Sequence, residues 1–209
     1  MAGLRQAQKE MTRRLLLSTA LDLFGKKGYS STTIDDIAVA AGTTRVTFYA
    51  YFPSRVELMK ALIAELNQLL DRTAPEGQGS TAPTLVNVVA AGDPAKITDW
   101  LRQTSKSWDV IHPYTKAAFE GAAVDPEVRV VVDAWFGEAI GDVQEGLELA
   151  DRFRPETRHL RAALAMTHLD YVERTWTPGH RDTDIEYTLE VLAQSWVALL
   201  TEPGRSAGS

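Results

Sequence analysis

Nine consecutive residues, Thr44-Arg45-Val46-Thr47-Phe48-Tyr49-Ala50-Tyr51-Phe52, gather hydroxyls, a guanidinium and phenols into one short stretch. Wound as a helix, the stretch can turn Val46, Phe52 and one more aromatic inward. Thr44, Arg45, Thr47, Tyr49 and Tyr51 then occupy its exposed start and side. Groups of these kinds reach phosphate oxygens and base edges, so the chemistry on offer is recognition of a nucleic acid.

A preceding helix has to hold that stretch in place. Thr33 can cap it, with Asp36 three residues later reaching back as in a capping box, and the helix ends before Gly42. Helix, tight turn and second helix over residues 33–52 form the helix-turn-helix arrangement, in which the second helix lies in the major groove. Helical hairpins of other function share this spacing, and spacing alone leaves both readings open. A helix from about Thr12 to Lys26 precedes the pair, with Leu16, Ala20, Leu23 and Phe24 on one face. Lys26 and Lys27 suit the negative end of its dipole, and Gly28 supplies a left-handed stop. Beyond Pro53, Ser54 and Glu57 signal a fourth helix from Arg55 to about Asp71.

Charge points to the same end of the chain. The net charge of −6 at pH 7 conceals two unlike parts. Residues 1–60 carry nine basic and five acidic side chains, whereas residues 61–209 carry 13 basic and 23 acidic ones. A polyanion would therefore be met by the first 60 residues.

With 209 residues, 44% hydrophobic and 24% charged, the chain can bury a real core. It contains no cysteine, which excludes disulfides, thiolate zinc sites and cysteine nucleophiles. No signal-peptide h-region opens it and no apolar run is long enough for a membrane span, so a cytoplasmic protein without membrane contact is expected. Gly-x-Ser-x-Gly, P-loop, Gly-x-Gly-x-x-Gly and His-Glu-x-x-His motifs are all missing, and the histidines at 112, 159, 168 and 180 have no metal-ligand spacing. An enzyme, a metal site and a cofactor are not expected.

Helical periodicity dominates, and the fold class is all-α with about nine helices. After a loop at residues 73–83, further helices are expected at about 94–109, 114–122, 126–150, 155–176 and 183–200, with a breaker at Thr177-Pro178-Gly179 and a disordered tail after 202.

The run from Thr33 to Ala38, and from Gly42 to Arg55 with Leu58, resembles the N-terminal signature of the TetR family of bacterial transcriptional repressors. The resemblance covers about residues 12–62, and this chain departs from the usual pattern at Thr43, Val46 and Arg55. It implies a DNA-binding domain at residues 10–53, a connecting helix at 54–72, and a ligand-binding and dimerisation domain at 73–201. It further implies that Thr33 lies beside the DNA backbone and that Thr44, Arg45 and Thr47 meet bases or nearby phosphates. Tyr49 and Tyr51 would clamp phosphates, and Arg55 would replace a phosphate-binding lysine. The partners implied are a palindromic double-stranded operator, a small-molecule effector and a second copy of the chain.

In the C-terminal part, Trp100, Trp108, Phe119, Trp135, Phe136 and Tyr171 would give an aromatic cavity, with His112 and His168, and Glu120 and Glu173, as polar groups orienting a ligand. The same aromatics at helical spacing also fit a plain core. Stripes on the last two helices (Leu160, Ala163, Leu164, Thr167 and Tyr171; Ile185, Leu189, Leu192, Trp196 and Leu199) suggest a two-fold four-helix interface. The reading is a repressor released from its operator by an apolar or aromatic molecule. The alternative is an all-α ligand-binding or scaffold protein that kept the fold without operator binding.

Overall fold

The structure, a computed structural model, describes residues 2–72, 81–175 and 185–202. Among these it contains ten helices: α1 (Ala2–Lys27), α2 (Ile34–Ala40), α3 (Arg45–Tyr51), α4 (Arg55–Leu69), α5 (Pro83–Ala91), α6 (Pro94–Ser105), α7 (Trp108–Val124), α8 (Pro126–Leu149), α9 (Pro155–Thr175) and α10 (Ile185–Leu200). The all-α expectation holds. The breaker at 177–179, the start of the last helix at Thr183, Trp176, His180 and the tail from Pro203 fall outside the described residues, as does most of the 73–83 loop.

Four helices differ from the sequence reading. The first helix begins about ten residues earlier, because Leu4, Arg5, Gln6, Ala7, Gln8, Lys9 and Glu10 are all good helix formers even without an apolar stripe. The expected helix 94–109 stops at Ser105, and Trp108 opens the next one. That helix runs through Pro113 and absorbs the short helix expected at 114–122. The tenth helix, α5, has no counterpart in the reading. Its Val-rich sequence lacks a helical signature, yet Pro83 at its first turn, and Leu85, Val86 and Val89 buried along it, make it a packed helix.

The chain forms two compact units, Met1–Leu66 with Pro113–Asp133, and Asn67–His112 with Ala134–Ser209. Each of α4, α7 and α8 contributes residues to both. The core of the first unit is built on Leu16, Leu17, Phe24, Ile37, Phe48, Phe52 and Leu58, all buried. In the second, Ile97, Leu101, Trp108, Val143, Leu147, Leu189, Leu192 and Trp196 are buried, and the Trp100 ring stacks on Trp196 at 5.4 Å. Arg152 is buried there, donating to the carbonyls of Val89 and Leu200 at 2.7 Å each and to that of Ala90. One guanidinium thereby ties the end of α5 to the end of α10.

Candidate nucleic-acid interface

The local devices that build α2 and α3 are hydrogen bonds to their first turns. Thr33 caps α2: its hydroxyl accepts from the Asp36 amide at 3.1 Å, and its own amide donates to Asp36 Oδ2 at 2.9 Å. Those bonds from the Thr33 amide and hydroxyl, with Lys27 at 3.3 Å, hold the Asp36 carboxyl below the usual carboxylate range. Gly42 turns the chain at φ +66°, a conformation that side chains rarely adopt. Thr44 then caps α3, its hydroxyl accepting from the Thr47 amide at 3.1 Å.

Phe48 and Phe52 face inward and are buried, which fixes the rotation of α3. Val46, expected to face inward with them, is instead 81% exposed. The reason is angular: two residues from Phe48 on a helix is a turn of about 200°, nearly the opposite face. The outward face therefore reads Arg45, Val46, Tyr49 and Ala50.

Arg45 Nη1 meets Asp35 Oδ2 at 3.0 Å, and Nη2 donates to the Tyr49 hydroxyl at 3.4 Å, with the guanidinium 5.6 Å from the Tyr49 ring centre. Both charged partners are about 60% exposed, so the pair aims the guanidinium more than it stabilises the fold. Asp35 is a participant that sequence reasoning missed. Its partner lies ten residues away and depends on how α2 crosses α3, for which no local signal exists. Thr33, Thr44 and Tyr49 are exposed, whereas Thr47 and Tyr51 are half-buried.

Arg55 has other partners. Its Nη2 donates to the Tyr29 carbonyl at 2.6 Å and its guanidinium lies 4.0 Å from the Tyr29 ring centre. Tyr29 in turn donates its amide to Glu120 Oε2 at 3.2 Å and its hydroxyl to Asp125 Oδ2 at 3.4 Å. Burial, reinforced by Asp125 against the opposing pull of Arg55, pushes the Tyr29 phenol up to about 12. This cluster joins the turn after α1, the start of α4 and the end of α7 within the first unit. Only Gly28, a helix stop at φ +80° just before an aromatic, marked it in the sequence.

The residues expected around a ligand are spread over both units. Phe119 belongs to the first. In the second, Trp108 is buried, Trp135 Nε1 donates to Asn67 Oδ1 at 2.9 Å, and His112 Nδ1 lies 3.2 Å from the buried Glu173. Phe136 is half-buried on α8. His168 is exposed, 2.5 Å from Ser195 Oγ, and Tyr171 is 64% exposed. Two open depressions of about 490 and 610 Å³ in the second unit are lined by none of the residues expected around a ligand. Among the described residues no group of three or more His, Asp or Glu side chains could hold a metal ion, and no helix is long and apolar enough to cross a membrane.

An all-helical chain with a doubly capped α2–α3 pair and a cationic, hydroxyl-bearing outer face is a helix-turn-helix protein. Residues 16–62 match the model of the family described as bacterial regulatory proteins, tetR family. Over 60 residues the chain is 42% identical to YuxN of Bacillus subtilis, an uncharacterised HTH-type transcriptional regulator, a stretch covering 29% of this chain and 20% of YuxN. Over 71 residues it is 35% identical to the HTH-type transcriptional regulator SrpR of Pseudomonas putida, covering 34% of this chain and 33% of SrpR. The matches thus span between a fifth and a third of these relatives' length. In fold, the chain is similar to NalD, the secondary repressor of the MexAB-OprM multidrug efflux pump in Pseudomonas aeruginosa, with a TM-score of 0.69 at 19% identity over 94% of this chain and 99% of NalD. It is also similar to SmeT in its triclosan complex, with a TM-score of 0.66 at 15% identity over 93% of each chain.

Proposed function

We infer that the chain is a dimeric, ligand-responsive transcriptional regulator that represses by occupying a palindromic operator. The observation carrying this reading is the outer face of α3: an aimed guanidinium, a phenol and capping hydroxyls on a short helix fixed by Phe48 and Phe52, in the basic part of an otherwise acidic chain. Thr33, Thr44, Thr47 and Tyr51 supply contacts to the DNA backbone or bases around Arg45 and Tyr49. Residues 10–53 act as the DNA-binding domain, 54–72 as the connection and 73–201 as the effector and dimerisation domain.

Dimerisation through α9 and α10 is supported by what α9 leaves open. Leu160, Leu164 and Tyr171 are exposed along it, and Tyr187 and Val191 are exposed on α10. Leu189, Leu192 and Trp196, assigned to the α10 stripe from sequence, are already buried within the subunit, so the free face of α10 is a different one. An effector is supported by the likeness to SmeT, solved with triclosan. Trp100, Trp108, His112, Trp135 and Phe136 are the residues we assign to its surroundings. Effector binding would bias α4, whose residues are shared between both units, and so change the spacing of two recognition helices that must reach successive major grooves.

The test is fluorescence anisotropy of labelled duplexes selected by the chain from a randomised pool, paired with sedimentation of the free and DNA-bound protein. A palindromic consensus bound by a dimer is expected. An unenriched pool, or tight binding of a palindrome by a folded monomer, overturns the reading.

A further inference from the structure

Val46 is the most exposed large apolar side chain among the described residues, at 81%. It stands at the second position of α3, next to Arg45, and the first turn of a recognition helix is the part that meets base edges. Two features make it more than a stray surface valine. Its β-branched side chain is held to essentially one rotamer on a helix, so the isopropyl group has a fixed position. Its neighbour is fixed as well, since Asp35 and the Tyr49 hydroxyl both hold the Arg45 guanidinium. The start of α3 therefore presents an oriented cation and an apolar knob of fixed position side by side.

An isopropyl group can neither donate nor accept a hydrogen bond. Against the N4 amino group of cytosine, or the N7 and O6 or N6 edges of purines, it would strip water from polar atoms without replacing it. The major groove offers one apolar feature, the C5-methyl of thymine. We propose that Val46 is a specificity-determining residue that selects a thymine in each operator half-site by packing on its methyl group, beside the base read by Arg45. This rests on the DNA-binding reading above and extends it to the sequence of the operator. Val39, also exposed, stands on α2, the helix that crosses the phosphate backbone, and has no such role.

The experiment removes the methyl group alone. In duplexes selected from a randomised pool by the wild-type chain, each thymine is replaced by uracil, symmetrically in both half-sites, and anisotropy is measured with wild type, Val46→Ala and Val39→Ala. One buried methyl corresponds to about a fourfold change in affinity, hence about fifteenfold when both half-sites of a dimer lose it. Wild type and Val39→Ala are expected to show that loss at one thymine per half-site. In Val46→Ala the thymine duplex binds more weakly and uracil costs nothing further at that position. Because Val46 is exposed, the variant should keep the wild-type circular dichroism and melting temperature, and any loss of binding is then read at the interface. Indifference of the wild type to uracil at every thymine, or a uracil penalty that persists undiminished in Val46→Ala, overturns the assignment while leaving DNA binding intact. A pool with no enriched sequence overturns the function itself.

Discussion

Three glycines on α8 give a sharp test of how the second unit is packed. Gly137 and Gly141 have open space where a Cβ would stand. At Gly146 a Cβ would lie 2.7 Å from Val89 Cβ, 2.8 Å from the Val86 carbonyl oxygen and 2.9 Å from Val89 Cγ1. Ordinary carbon contacts begin near 3.5 Å, so Gly146→Ala requires α5 to retreat by about 0.8 Å. Neither obstacle is a flexible tip, since one is backbone and the other the branch point of a valine. Retreat is also resisted, because Leu85, Val86 and Val89 are buried and Arg152 holds the Val89 and Ala90 carbonyls.

Overpacking of this kind costs about 1–3 kcal/mol, and the pinned position of α5 puts Gly146 at the upper end. Replacing a helical glycine by alanine returns up to about 1 kcal/mol. The net expectation is a loss of about 2 kcal/mol for Gly146→Ala and a gain of up to about 1 kcal/mol for Gly137→Ala and for Gly141→Ala. At roughly 2–4 °C per kcal/mol for a chain of this size, Gly146→Ala melts about 4–8 °C below wild type and the other two about 2–4 °C above it. Thermal unfolding followed by circular dichroism, with operator affinity as a control on the first unit, reads the ordering directly. Equal melting temperatures for Gly146→Ala and Gly141→Ala would refute the close approach of α5 to α8.

Other outcomes follow from the interface and its supports. Arg45→Ala should lower operator affinity about five- to a hundredfold for each half-site, compounded over the two half-sites of a dimer, and relax selectivity at one position in each; unchanged affinity would remove Arg45 from the interface. Arg55→Ala should lower the melting temperature as well as DNA affinity, because its guanidinium lies on the Tyr29 ring and donates to the Tyr29 carbonyl; a change in salt dependence alone would show that those contacts carry no stability. The Tyr29 phenol ionises near pH 10 in an unfolded chain and near 12 when folded. The native state thus holds the proton more tightly, and stability is full below pH 10 and falls as pH rises toward 12; urea melts across this range should show a shallower fall for Tyr29→Phe, and parallel curves would contradict the burial. Leu164→Glu, on the exposed face of α9, should separate the dimer with helicity intact, whereas Leu192→Glu, at a side chain 3% exposed within the subunit, should unfold the core; sedimentation with circular dichroism distinguishes the two.

Much of the N-terminal architecture was legible because short-range bonds build it. The Thr33–Asp36 capping box, the Gly28 and Gly42 turns and the stop at Pro53 are each written within four residues of the structure they make. Beyond Leu69, the starts of α6 and α8 are written locally, in Asp93-Pro94 and Asp125-Pro126, whose carboxylates accept from the Ala95 and Glu127 amides, whereas other boundaries shift where tertiary packing overrides local signals. The clearest case is α5, a run of valines made helical by burial. The rotation of α3 failed for a related reason. Apolar character alone assigned Val46 to the core, although its angular distance of about 200° from Phe48, available from the sequence, puts it on the opposite face.

The side chains that aim the functional groups were the hardest to foresee. Asp35 reaches Arg45 only because α2 and α3 cross at one angle, and Glu120 and Asp125 reach Tyr29 across more than 90 residues of sequence. Such partners have no spacing rule, because the geometry that pairs them is a product of the whole unit. The residues we propose for DNA contact can therefore be picked out by type and local period, while the directions in which they point are set by carboxylates and carbonyls elsewhere in the chain. That division also explains why Arg55, basic and at the expected position, is held by Tyr29: its charge was visible in the sequence, and its partner was not.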